Sequence, residues 1–216
     1  MIGRRLSVRR LLLVGAIVLI SLLAIGYIIQ TNQPSTTSEN RPAVIFDFDT
    51  GSPLLAVAQS TPFNQTSKGI TALFSSPSDP AAFSATSYDA TGLKLSQFSG
   101  KYLYDSKQSR DILDIEFSTD IIAVKFNFAT VETQGETITL PSNIDVTAYK
   151  NTILVGNNRT QGSFSGDSYP QGTLSLSTSK QPFNWVRISI PAQTSGTTDF
   201  LIDNIVVTTV SQTTTP

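Results

Sequence analysis

Over most of this chain apolar and polar positions alternate with a period of two. In Ala43 to Asp49, Val44, Phe46 and Phe48 fall on one side while Ile45, Asp47 and Asp49 fall on the other. That alternation marks a half-buried β-strand. Leu113, Ile115 and Phe117 alternate in the same way with Asp114, Glu116 and Ser118, and Ile122, Val124, Phe126 and Phe128 share one side of residues 121–131. Ile144, Val146 and Ala148 form another apolar row, as do Val186, Ile188 and Ile190 after Phe183. Further strands are predicted over 70–75, 83–88, 153–157, 172–177 and 200–210, with Gly, Pro, Asn and Asp clusters such as Asp49-Thr50-Gly51 and Ser78-Asp79-Pro80 between them. No helical stripe of useful length interrupts the series. About ten short strands, each with one polar face, predict an all-β fold, since parallel strands would need helices between them. Residues 43–210 are therefore expected to form one antiparallel two-sheet β-sandwich, a jelly roll in the first instance and an immunoglobulin-like sandwich as the alternative.

The N-terminus breaks the pattern. Arg4, Arg5, Arg9 and Arg10 precede residues 11–29, which carry no charge. As a helix this run would span about 28 Å, close to the hydrocarbon thickness of a bilayer. The one-sided arginines predict a single-pass signal anchor, with a basic cytoplasmic tip at 1–10 and the rest of the chain outside the cell membrane. Ala24-Ile25-Gly26 also fits a small-x-small cleavage site, which would release the protein as a secreted one. Residues 30–42 (QTNQPSTTSENRP) read as a solvated stalk and 211–216 (SQTTTP) as a short disordered tail.

Composition sharpens this division. The formal net charge of the whole chain is −1, from 15 Lys+Arg against 16 Asp+Glu. Removing the four N-terminal arginines leaves 11 cations against 16 anions, or −5, for residues 30–216. An acidic body without a cationic cluster argues against a nucleic-acid partner. The chain has no Cys and no His, which excludes disulfides, thiolate chemistry, imidazole metal ligation and a Ser-His-Asp triad.

Chemistry then falls to carboxylates, hydroxyls, amides and aromatic rings. Asp114 and Glu116 share one side of a strand about 7 Å apart, a spacing at which two carboxyls can divide acid and base roles in glycoside hydrolysis. Alternating acids on a solvated strand face are the ordinary reading of the same pattern, and the chain is not expected to be an enzyme. Aromatic side chains on polar faces suit sugar binding, because a flat ring stacks on the C–H face of a pyranose. Trp185 falls with Arg187 on the polar side of its strand, and Tyr149 falls with Asp145 and Thr147 on the polar side of another. Tyr102 and Tyr104 share a face if their segment is extended. Phe164, Asp167 and Tyr169 sit in a Gly/Ser-rich loop that could form a binding tip.

Two end segments carry a family resemblance. Ile45-Phe46-Asp47-Phe48-Asp49-Thr50-Gly51 and Phe200-Leu201-Ile202-Asp203-Asn204-Ile205-Val206-Val207 resemble the first and last strands of secreted jelly-roll modules of the galactose-binding-like type, which include many carbohydrate-binding modules. The resemblance implies that the first and last strands lie side by side. It also implies a structural calcium ion near them, which points to Asp47, Asp49 and Asp203. Three carboxylates would need carbonyls and water to reach the six to eight oxygens that calcium takes. The expected function is non-catalytic binding of carbohydrate or another cell-surface ligand, with a structural or adhesive envelope protein as the alternative.

Overall fold

A computed structural model describes residues 43–87, 91–107, 111–132, 141–178, 181–191 and 199–210. The expected basic tip, anchor, stalk and tail lie outside these residues. Among the described residues no helix is long and apolar enough to cross a membrane.

Eleven strands are described: β1 (Ala43–Phe46), β2 (Phe63–Ser67), β3 (Ile70–Ser75), β4 (Phe83–Ser87), β5 (Lys101–Asp105), β6 (Leu113–Thr130), β7 (Asn143–Lys150), β8 (Ile153–Gln161), β9 (Gln171–Ser177), β10 (Phe183–Ser189) and β11 (Phe200–Thr209). Every ladder between them is antiparallel. The hydrophobic alternation locates most of these strands. It misses β2, whose Phe63-Asn64-Gln65-Thr66-Ser67 carries one large apolar residue, and it leaves β5 conditional.

The ladders form two rows that share β6. Its first part pairs with β3 and β10, giving the row β2–β3–β6–β10–β7–β8. Its second part pairs with β11 and β9, giving β4–β5–β11–β6–β9. Residues 112–118 and 121–131, expected as separate strands, are thus one strand of 18 residues. The alternation changes phase where β6 passes from one row to the other. Ile121 is fully buried and Ile122 only half-buried, so Ile122 does not join Val124, Phe126 and Phe128 in the core as its spacing predicts. The partner strands show register irregularities there, between Phe183 and Trp185 and between Thr208 and Thr209.

β1 pairs with β11, with Val44 opposite Val207 and Phe46 opposite Ile205. This is the adjacency of first and last strands that the resemblance implied. The inner faces of both rows contribute to one apolar cluster that includes Phe46, Phe74, Phe126, Phe183, Val186 and Ile202. Phe74 is the hub of its aromatic part: Phe63 stacks on it at 4.9 Å between centroids, and Phe48 and Phe46 meet it edge-on at 5.5 and 6.4 Å. The β2–β3 hairpin turns through Lys68 and Gly69, both with positive φ (46° and 80°). Such a two-residue turn matches strand twist and suits glycine at its second position.

Candidate functional site

The outer side of the β2–β3–β6–β10–β7–β8 row is built in cross-strand registers. One register runs Leu154, Tyr149, Trp185, Glu116, Leu73 from β8 to β3. The next runs Thr147, Arg187, Asp114, Ser75. Side chains directly opposite in neighbouring strands touch, so the two registers bring together residues from four distant parts of the sequence.

A bulge prepares the site. Phe183 pairs with Ile121 and Trp185 with Glu116, so five steps along β6 face only two along β10, and the extra residues lie on β6. Phe183 points into the core, Asn184 and Trp185 both stay at the surface, and Val186 returns inward. A bulge re-aims a side chain in this way. Trp185 keeps the outward phase that alternation assigns to it, and Asn184, which alternation alone does not single out, joins it. The Asn184 carboxamide Oδ1 accepts the N–H of Asn151 at 3.0 Å, tying the β7–β8 turn to the bulge.

Tyr149 stacks on one face of the Trp185 indole, with centroids 4.4 Å apart and planes 27° from parallel. On the β6 side the indole borders an open cavity of about 430 Å³ lined by Ser75, Asp114, Glu116, Asn151, Thr152, Asn184 and Trp185. The indole therefore stands as a wall, supported from behind by a tyrosine. The guanidinium of Arg187 lies 5.2 Å from the indole centroid and donates two hydrogen bonds to Asp114, Nε to Oδ1 at 2.9 Å and Nη2 to Oδ2 at 2.8 Å. This bidentate pair holds the Arg187 guanidinium above its usual pKa. Both oxygens of Asp114 are engaged, while Glu116 is exposed at the cavity edge. Sequence reasoning names Trp185, Arg187, Tyr149, Asp114 and Glu116 separately, and the structure assembles them. Asn151, Thr152 and Ser75 carry no sequence signal, since they are small polar residues in turn or strand-end positions.

The remaining aromatic candidates gather elsewhere. Tyr102 and Tyr104 do share a face of β5, and with Tyr169 they line a smaller cavity of about 180 Å³ on the outer side of the second row. Tyr102 is not an exposed platform. Its ring is 1% exposed, it meets Phe98 edge-on, and its hydroxyl bonds Thr91 at 2.7 Å. Burial pushes its phenol pKa up despite that bond, and Tyr169 and Tyr104 add to the rise. Asp105, at the same cavity, is pushed up to about 6 by burial, opposed by the N–H of Lys107 and reinforced by Asp199 and Asp111.

The 161–171 loop is not a free binding tip. Asp167 is buried, and its carboxylate accepts the N–H and hydroxyl of Ser96 and the hydroxyl of Ser165. These hydroxyls hold its pKa below the usual carboxylate value. Ser168 and Lys94 exchange two further bonds. The loop is thereby fastened to residues 93–98, Tyr169 packs against a second apolar cluster of Leu95, Tyr102, Ala129 and Leu201, and Phe164 is half-buried.

Asp47, Asp49 and Asp203 are brought close enough to influence one another. Burial pushes Asp203 up to about 7 against the N–H groups of Ser99 and Asn204, and the charges of Asp49 and Asp47 add to the rise. They do not form a calcium shell. The Asp47 carboxylate closes a turn on the N–H groups of Asp49 and Thr50 and on the Thr50 hydroxyl. These donors outweigh the effect of burial and lower its pKa. Asp49 accepts the N–H of Lys101, and Asp203 accepts the N–H of Ser99 and of Asn204. Among the described residues no group of three or more acidic side chains is arranged to hold a metal ion. Oxygens directed at N–H donors are not directed at a common centre, which is the physical reason the expected calcium site does not appear.

No protein-family model matches the sequence, and no curated protein matches it. Among solved structures, the chain is similar to the cleaved adhesin domain of Lys-gingipain, at 11% identity and a TM-score of 0.45, over 78% of this chain and 98% of that one. It is also similar to the mannan-recognising carbohydrate-binding module TmCBM27, at 8% identity and a TM-score of 0.40, over 79% and 99% of the two chains. A third similar structure is an isomalto-dextranase of Arthrobacter globiformis complexed with panose, at 12% identity and a TM-score of 0.38, over 78% of this chain and 32% of that one. Solved structures resembling this chain thus include carbohydrate-binding and adhesin modules as well as a glycan-cleaving enzyme. At these identities and scores the likeness carries no argument about the site.

Proposed function

We propose that residues 43–210 form a non-catalytic carbohydrate-binding module with a jelly-roll sandwich architecture, displayed outside the membrane on the 11–29 anchor. The observation that carries the binding reading is the supported indole of Trp185 beside a cavity edged by Glu116, Asn184, Asn151, Thr152 and Ser75. An aromatic wall for the C–H face of a sugar and convergent polar groups for its hydroxyls are the two requirements of such a site. Two strand rows sharing one core, with the first strand beside the last, support the jelly-roll assignment.

A non-catalytic role is supported by the state of Asp114. Both of its oxygens are held by Arg187, which leaves Glu116 without the second carboxyl that glycoside hydrolysis requires. One observation favours protein contacts as a second role: Ile153 and Leu154, on the edge strand β8, are 63% and 60% exposed.

A glycan-array screen of the full chain in detergent, followed by titration of the strongest ligand, tests the proposal. Binding is expected, with Trp185→Ala weakening it at least about tenfold. An array with no bound glycan would overturn it.

A further inference from the structure

The charges on the outer side of the Trp185 row are almost entirely self-paired. Arg187 pairs with Asp114, Arg159 with Asp145 through Nη2 to Oδ2 at 2.7 Å, and Lys150 with Asp120. Two of these pairs sit directly opposite in the ladders, Arg187 with Asp114 and Asp145 with Arg159. Each of these three cations therefore has a carboxylate already.

Glu116 is placed differently. Its cross-strand neighbours are Trp185 on β10 and Leu73 on β3, so no cation lies opposite it on either side. It is exposed, and it edges the same cavity as the indole. The cavity lining contains no Lys or Arg, and the one carboxylate in it besides Glu116, that of Asp114, is neutralised by Arg187. The cavity thus presents one carboxylate without an ion-pair partner beside an indole that already has the Arg187 guanidinium 5.2 Å from its centroid. An ammonium is attracted to such a carboxylate by charge as well as by hydrogen bonding, whereas a neutral hydroxyl gains only the second.

We infer that the site selects sugars bearing a protonated amine, that is, de-N-acetylated amino-sugar chains, with the ring against Trp185 and the ammonium at Glu116. This inference rests on the carbohydrate-binding reading and narrows it. N-acetylation removes the charge and adds bulk at the same position. A uronic acid would place an anion beside Glu116.

The test uses the full chain in detergent and three probes of equal length: glucosamine, N-acetylglucosamine and glucose tetrasaccharides, titrated calorimetrically at pH 6, where the sugar amine is protonated. At low salt the glucosamine tetramer is expected to bind at least about tenfold tighter than either neutral tetramer. That advantage should shrink severalfold at 0.5 M salt, where charge interactions are screened. Glu116→Gln keeps the shape of an exposed side chain, and its melting temperature reports that it folds. It is expected to abolish the preference for the amine, read as the ratio of glucosamine to glucose tetramer affinities within the variant. Equal binding of all three tetramers, or a preference that survives Glu116→Gln, would overturn the inference but leave the carbohydrate reading standing. Binding of none of them would also overturn the inference, while the carbohydrate reading stands or falls on the glycan array.

Discussion

The outer sides of the two strand rows solve the problem of facing solvent in opposite ways. On the β2–β3–β6–β10–β7–β8 row most outward residues short of the β8 edge are polar or charged, and several pair across the ladders, as in Arg187 with Asp114 and Arg159 with Asp145. That side is left open and carries a cavity. On the β4–β5–β11–β6–β9 row, Tyr102, Ala129 and Leu201 point outward and are apolar. They cannot face water at that density, so residues 91–100 and 161–171 fold over them, supplying Leu93, Leu95, Phe98 and Tyr169 as a second, smaller core. β6 contributes to both sides, Glu116 to one and Ala129 to the other. One strand therefore borders an open, cavity-bearing surface or a buried layer according to the residue at each outward position.

The comparison predicts unequal responses to similar truncations. Tyr102→Ala removes a ring buried under the cover and is expected to cost about 3 kcal/mol or more in urea unfolding, in the range for deleting a buried aromatic side chain. Trp185→Ala removes a half-exposed ring on the open side. It should cost about 1 kcal/mol, with its main effect on glycan binding. Equal losses of stability at the two positions would break the distinction between an open and a covered side.

A second prediction concerns the fastening of the cover. Asp203 accepts the N–H of Ser99 from the covering segment, and its folded-state pKa is about 7 against about 3.9 in an unfolded chain. The folded state then binds more protons than the unfolded state between those values. The stability that protonation contributes is fully present below about pH 4 and is lost as pH rises through about 7, a change on the order of a few kcal/mol. Melting temperature should accordingly be higher at pH 5.5 than at pH 8, and Asp203→Asn should reduce that difference. A wild-type melting temperature that does not change between these two values would show that Asp203 is not held as described.

The smallest effect is expected at the β8 edge, where Leu154 is 60% exposed. Leu154→Thr should change stability by less than about 0.5 kcal/mol. A larger loss would mean that this residue is covered in the assembled protein, which would favour protein contacts at that edge.

How much of this was legible in the sequence depended on what each signal reports. Alternation reports burial, so strands with large apolar residues at every second position, such as Val44-Ile45-Phe46 and Val186-Arg187-Ile188, were readable to the face. β2 was not, because its inward position beyond Phe63 is held by Gln65, a fully buried amide. Nor could it be seen that Ile121 rather than Ile122 is buried, since the phase changes only where β6 moves between two sets of partners. For the site, the outward phase of Trp185 could be read directly. The contact of Trp185 with Tyr149 and Glu116 could not, because it depends on ladder register between β7, β10 and β6. The loop around Asp167 departs from the expected binding tip for a related reason: its tether is Ser96, far away in sequence.

The pairing of β1 with β11 bears on how the chain reaches this state. Ala43 finds its ladder partner only at Thr208, almost at the end of the sequence. During synthesis, β1 must wait until β11 emerges. Contacts so distant along the chain make folding slow, because a large loop must close before they form. Until then the Val44 and Phe46 side chains lack their native cover, and the incomplete chain exposes unpaired strand edge to its neighbours. Completion of the fold is thus tied to the arrival of its last strand.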